Sequence, residues 1–224
     1  MKNVIIYAKG ETIMKVVAFN GSPKKEGNTY HAIKIVTDEL TKAGIETEII
    51  QVGHKPVRGC LACGKCTKNQ DEKCSQTGDD VNEWIQKIKG ADGVIFGSPV
   101  YYAGVNATMK AFLDRAFYVS TANGGLFRHK VGAAVVALRR SGGVSTFDQL
   151  NHYLTYAEML IPTANYWSVI HGSTPGEALQ DEEGVQIMRV LGKNMAWLLK
   201  LVENGRGVVE EPAMEIKTKM NFIR

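Results

Sequence analysis

Short apolar runs alternate with longer stretches of helical periodicity from residue 15 to about residue 203, and this alternation constrains the fold more than any other feature of the chain. KVVAFNGS opens the series as a strand ending near Gly21, and a polar loop and a helix over residues 28–43 follow. Lys42 and Ala43 precede Gly44, a basic last turn with glycine beyond it, and IETEII (45–50) then alternates as a second strand. Val81, Trp84, Ile85 and Ile88 share one helical face, with Asp79 or Asp80 available as cap. GVIFGS (93–98) reads as a buried parallel strand, residues 106–119 as a helix and VGAAVVAL as another buried strand. Ser145 caps a predicted helix of about 14 residues, and residues 164–171 supply the fifth strand. Ile187, Val190, Leu191, Met195, Leu198 and Leu199 lie along a last helix over residues 185–202. Five βα units predict one α/β domain on a parallel sheet, and 224 residues with 44% hydrophobic content suffice for its core.

The domain is expected to span residues 15–211 and to include a cysteine-rich loop at 58–77. Residues 1–14 form an extension in which residues 3–8 can make a sixth strand. Pro212 interrupts the last β-like run, so residues 212–224 read as an arm. Its Met214, Ile216, Met220, Phe222 and Ile223 predict packing across its own domain or a neighbouring chain.

No apolar run approaches the roughly 20 residues of a spanning helix; the longest, residues 131–138, contains Gly132. MKNVIIYAKGETIM lacks the apolar core and cleavage site of a secretory signal, so a cytoplasmic protein is expected. The net charge of +4 comes from scattered residues, 27 Lys and Arg against 23 Asp and Glu; it suits an anionic ligand and leaves no nucleic-acid footprint. Lys217, Lys219 and Arg224 read as a solvated tail.

Three loops carry binding chemistry. NGSPKKEGNT (20–29) brings the Ser22 hydroxyl, Asn28 and Thr29 to a helix start, while Gly21 and Gly27 let backbone N–H groups turn inward toward phosphate oxygens. The segment is neither a G-x-G-x-x-G fingerprint nor a Walker A loop, which disfavours nucleoside triphosphate chemistry. SPVYYAG (98–104) follows a parallel strand and offers a rigid Pro99, flat Tyr101 and Tyr102, and a close approach at Gly104. ALRRSGGVSTF (137–147) adds Arg139 or Arg140 against negative charge, with Ser141 and two glycines as donors. Together they predict a crevice at the carboxyl ends of the strands for a phosphorylated planar molecule.

All four cysteines fall in GCLACGKCTKNQDEKC, at positions 60, 63, 66 and 74. Three close thiolates can wrap one face of a cubane cluster while the fourth arrives from a flexible loop. Tetrahedral zinc and free or redox-active thiols remain open on spacing alone, although CxxCxxC is more compact than paired zinc knuckles. Lys55, Arg58, Lys65, Lys68 and Lys73 surround the segment as a solvated face able to offset thiolate charge. The five histidines form no compact metal motif.

GSPKKEGNT, SPVYYAG, RRSGG and YWSVIHG, in this order, resemble the flavodoxin-like NADPH-dependent FMN reductase and iron-sulfur flavoprotein superfamily over residues 15–203. The resemblance implies a doubly wound parallel five-stranded sheet in the order 2-1-3-4-5, with FMN in the crevice. It implies Ser22, Lys24, Asn28 and Thr29 around the ribityl phosphate. Pro99, Val100, Tyr101, Tyr102 and Gly104 then wall the isoalloxazine, with Ser141 and Gly142 nearby. The cysteines narrow the likeness to the iron-sulfur flavoproteins and imply that Cys60, Cys63, Cys66 and Cys74 hold one 4Fe-4S cluster, although the CP ending of bacterial ferredoxins is absent and the third gap is long.

The family likeness also implies homodimers or homotetramers. Tyr118, Phe127 and Trp167 are candidate interface aromatics, although each reads more simply as a local core or cap residue. The function expected is an FMN-dependent oxidoreductase or electron carrier coupling FMN to the cluster, with NAD(P)H as a possible donor and a ferredoxin or small molecule as partner. The alternatives are a cluster-free NAD(P)H-dependent FMN or quinone reductase, and an FMN-bearing sensor or interaction protein. No Ser-His-Asp arrangement is evident, and no catalytic acid or base is expected.

Overall fold

The computed structural model describes residues 13–218 and 220–222. The expected extension strand at 3–8 lies outside them, as do Lys219, Ile223 and Arg224. The elements run β1 (Lys15–Asn20), α1 (Asn28–Lys42), β2 (Glu46–Gln51), α2 (Lys65–Asn69), α3 (Val81–Lys89), β3 (Gly93–Tyr101), β4 (Gly104–Val105) and α4 (Ala107–Ala122). They continue β5 (Val131–Leu138), α5 (Gly143–Tyr156), β6 (Val169–His171) and α6 (Glu182–Gly205).

The sheet order is β2-β1-β3-β5-β6, all parallel, which is the doubly wound flavodoxin-like order expected. β4 is an addition that no periodicity announced: two residues paired antiparallel to the end of β3. The fifth main strand is shorter than expected, covering three residues instead of 164–171. Ser145 does not cap α5, because Gly142, in the left-handed region at φ 86°, takes that position. The Ser145 hydroxyl instead donates to the Gly142 and Ala103 carbonyls. The cysteine segment, read as irregular, contains the one-turn helix α2.

Two apolar layers sandwich the sheet. α1 and α6 cover one face through Ile33, Val36, Leu40, Ile187, Leu191 and Met195. On the other face, α3, α4 and α5 close over Phe19, Phe96 and Val136. Phe112 sits at the centre of an aromatic cluster there, with ring centroids 4.9 Å from Phe19, 5.0 Å from Trp84 and 6.2 Å from Phe96. Phe127, a candidate interface aromatic, is fully buried in this same layer, whereas Tyr118 and Trp167 are about half exposed. Just before the arm Glu211 meets His129 at 3.2 Å, and along the arm Met214 Sδ lies near Gly125 and Lys217 Nζ stands 4.7 Å above the Tyr156 ring. Ile216, Met220 and Phe222 remain exposed on the arm. No described helix is long and apolar enough to cross a membrane.

Phe112→Ala is expected to cost about 3–5 kcal/mol, the range for emptying a buried aromatic site. Urea unfolding should show the loss as a lower midpoint at an unchanged denaturant slope.

Candidate functional site

The phosphate-type loop leaves the sheet at Asn20. Its side-chain carbonyl accepts the Ser22 N–H at 3.1 Å, while its amide group donates to Gln51 Oε1 at 2.6 Å and to the Lys25 carbonyl at 3.3 Å. Gln51 Nε2 in turn donates to the Ser22 carbonyl at 2.5 Å, so the end of β2 holds the loop after β1. Gly53 packs beneath it: a Cβ there would stand 2.1 Å from the Gly21 carbonyl oxygen. Ser22 is buried and its Oγ accepts the Lys24 N–H at 3.2 Å, whereas Lys24 and Lys25 are exposed. α1 starts at Gly27 without a side-chain cap, leaving its first N–H groups for an external acceptor. Thr29 is buried, with its methyl facing Gly97. Asn28 Oδ1 is occupied by the Ala178 N–H at 3.2 Å, a tie across the chain that the sequence did not reveal.

The second loop is a hairpin in which Tyr101 pairs with Gly104 across Tyr102 and Ala103. Both central residues have positive φ, 50° and 58°, as a type I′ turn requires. Neither is glycine, so each carries strain of about 1–2 kcal/mol. α5 supports the strained turn: Ser145 Oγ donates to the Ala103 carbonyl at 2.8 Å, and the Val105 N–H donates to Gln149 Oε1 at 3.2 Å. Gly142 closes against it, since a Cβ there would meet Ala103 Cα at 2.7 Å. Pro99 and Val100 are half-buried, Tyr101 is about half exposed and Tyr102 is fully exposed.

Beyond the third loop lies a cavity of about 450 Å³, walled by Ser141, Gly142, Tyr166, Trp167, His171 and Asp181 among others. Tyr166 and His171 lie in YWSVIHG, which carried the resemblance without a role assigned to either, and Asp181 was not singled out from the sequence. It could have been, as an N-cap type residue three positions before Gly184. Asp181 accepts the Gly184 N–H at 2.9 Å and the His171 N–H at 2.7 Å. Burial opposes its charge, yet these donors prevail and hold its carboxyl below the ordinary range.

The cysteines converge on a separate void of about 20 Å³ that Cys60, Cys63, Cys66 and Cys74 all line, together with Arg115 and Tyr118. None is in a disulfide. Three of the sulfurs have hydrogen-bond partners: Ala62 N–H to Cys60 at 3.4 Å, the Ser75 hydroxyl beside Cys63 at 3.4 Å, and Arg115 Nε to Cys74 at 3.3 Å. The Ser75 contact pulls the exposed Cys63 thiol below its usual range, and burial pushes Cys66 up. Ala62, Gln70 and Glu72 have positive φ without being glycine, so the loop is locally strained at these three positions. Among the described residues no group of three His, Cys, Asp or Glu side chains is set to hold a single metal ion. The void lies down α4 rather than beside the hairpin: Asn106 to Arg115 is about 14 Å of helix rise.

Because the carboxyl of Asp181 is depressed in the folded state, its stabilisation is complete above the ordinary value of about 4 and is lost as pH falls through the lowered one. Asp181→Ala should therefore lower Tm at neutral pH, with the gap to the native chain closing on acidification below about pH 4. A gap independent of pH would assign the effect to packing.

The profile of the NADPH-dependent FMN reductase family matches residues 14–174. An iron-sulfur flavoprotein of Methanocaldococcus jannaschii is 36% identical over 197 residues, covering 85% of this chain and 100% of that protein. An iron-sulfur flavoprotein of Methanosarcina thermophila is 30% identical, covering 86% and 99%. In fold, the chain is similar to RosB solved with a bound riboflavin-phosphate intermediate, at a TM-score of 0.65, 15% identity and 94% coverage of both chains. The chain thus belongs to the FMN-binding, flavodoxin-like NADPH-dependent FMN reductase family and is an FMN-dependent oxidoreductase.

Proposed function

We propose that FMN occupies the carboxyl edge of the sheet between the 21–29 loop and the Pro99–Val105 hairpin, and that it exchanges electrons with an iron–sulfur cluster on Cys60, Cys63, Cys66 and Cys74. The uncapped start of α1 carries the flavin assignment, because a phosphate supplies the acceptor that its first N–H groups lack. Ser22 and Thr29 flank that start, Lys24 adds charge from the exposed side, and Asn28 contributes through its amide nitrogen. Pro99, Val100, Tyr101, Tyr102 and Gly104 wall the ring, with Ser141 and Gly142 packed beside them. The strained Tyr102 turn, held by Ser145 and Gln149, presents a flat aromatic face without needing to reorganise. Bound FMN supplies coupled one- and two-electron chemistry, and the protein orients and shields it.

Convergence of the four thiols on one void supports the cluster, as do the hydrogen bonds to their sulfurs and the name iron-sulfur flavoprotein borne by the relatives. A cluster is larger than that void. Its entry requires the 60–63 segment to move outward, and the exposure of Cys60 and Cys63 leaves them free to do so. A cluster supplies one-electron transfer to a ferredoxin or small-molecule acceptor. The exposed Tyr102, Tyr118 and Trp167 suit a homodimer or homotetramer. The second reading is a cluster-free NAD(P)H-dependent FMN or quinone reductase; it is favoured by the family description and by the lack, among the described residues, of three donors set for one ion.

Anaerobically purified protein should release stoichiometric FMN on acid treatment, and Gly53→Ala, whose Cβ collides with Gly21, should weaken FMN binding at least tenfold (about 1.4 kcal/mol). Recovery of FAD, or unchanged affinity in that variant, overturns the placement. Iron and acid-labile sulfide are expected at about four each per chain, and Cys66→Ala should lose them while retaining FMN. A fully reconstituted sample without labile sulfide rejects the cluster and leaves the second reading.

A further inference from the structure

The side chain of Arg115 is completely buried on α4, in a position no sequence pattern marked. Its five N–H donors are all engaged. Nη1 donates to the Arg58 carbonyl at 3.2 Å, Nη2 to the Gln76 carbonyl at 3.1 Å, both terminal nitrogens to the Asp79 carboxylate, and Nε to Cys74 Sγ at 3.3 Å. Arg58 stands two residues before Cys60, and Gln76 two residues after Cys74. One guanidinium thus ties the entry and the exit of the cysteine loop to the same turn of α4. Asp79 also accepts the Val81 N–H at 3.3 Å, which joins the clamp to the start of α3.

We infer that Arg115 is a positioning residue that closes the cysteine loop and presents Cys74 before any cluster is assembled, and that its Nε–H to the Cys74 sulfur then raises the reduction potential of the cluster. The inference rests on the cluster reading given above. Closing a flexible loop of this length costs conformational entropy that grows with its logarithm, and a fork of fixed geometry meets that cost with protein groups alone. The division of the loop agrees with this role. Cys74 is held by the clamp, whereas Cys60 and Cys63 are exposed on the entry side of the void. A cationic N–H donor on a ligating sulfur favours the more negatively charged, reduced form, which raises the potential.

Lysine at 115 keeps the charge opposite Asp79 but cannot span both carbonyls or reach the sulfur with an N–H of fixed direction. In cluster-free, FMN-loaded protein, Arg115→Lys is expected to speed alkylation of Cys74 at least tenfold. Alkylation of Cys60 should be unchanged, and hydrogen-exchange protection of the 59–76 amides should fall. In reconstituted protein, potentiometric titration followed by electron paramagnetic resonance should give a lower cluster midpoint for Arg115→Lys. Unchanged Cys74 reactivity in the folded variant overturns the pre-closure, and an unchanged or higher midpoint overturns the tuning. Should Arg115→Lys fail to retain FMN, Asp79→Asn is to be measured instead; it leaves the guanidinium but weakens its anchor, so Cys74 alkylation should still accelerate, and no acceleration overturns the clamp. Absence of labile sulfide in the reconstituted native chain rejects the cluster reading by itself, while the alkylation result still decides the clamp.

Discussion

The Gly21 N–H donates to the Gly97 carbonyl at 2.8 Å, the last rung between the two central strands, and the edge of the sheet that carries the site is arranged around it. The rung forms because neither residue has a side chain. A Cβ on Gly21 would stand 2.8 Å from that carbonyl, and one on Gly97 would stand 2.5 Å from Ile33 Cδ1. α1 can therefore seat directly over the junction. β2 lies to one side of β1 and β5 to the far side of β3, so the loops after β1 and β3 diverge here and leave a crevice between them.

The walls of that crevice are held from a distance. Gln51 fixes the loop after β1 from the end of β2, and Asn28 is tied to Ala178, 150 residues later in the chain. Ser145 and Gln149 hold the Tyr102–Ala103 turn from α5. Strain in a turn of this type persists only where surrounding contacts outweigh it, and here several hydrogen bonds and the close packing of Gly142 do so. The result is an edge whose loops are held in place by protein groups alone.

The cysteine void obeys a different logic. It hangs on α4 through a buried cation, and its neighbours are backbone carbonyls, a carboxylate and sulfur. A buried guanidinium is tolerable only when every donor is satisfied, which is the case for Arg115. Burial disfavours its charge, but the hydrogen bonds it donates to Asp79 and Cys74 outweigh that and raise its proton affinity. The crevice and the cysteine void therefore share α4 but not their supports, one resting on the sheet edge and the other on the flank of a helix.

Alternation of apolar runs with helical periodicity was enough to give the α/β class and a parallel sheet, because burial of parallel strands leaves a pattern that local sequence records, whereas the strand order came from the family resemblance. The clustering of the four cysteines was equally legible, since their spacing is a property of one short segment, and all four line one void. Ser145 was misread as a cap because hydroxyl residues at a helix start usually serve that purpose, and here a carbonyl of the neighbouring hairpin competes for it. The shortness of β6 and the existence of β4 depend on pairing with partners remote in sequence. Phe127 takes the core reading that was the simpler of its two, and its ring meets Phe117 at 5.3 Å, a contact set by how α4 lies on the sheet. The sequence by itself determined which chemical groups were available and that they would leave the strands at one edge. Only the tertiary structure decided which of them are spent on each other, such as Asn28 on Ala178, and which are buried as clamps, such as Arg115, because hydrogen-bond partners separated by tens of residues are chosen by packing and not by spacing.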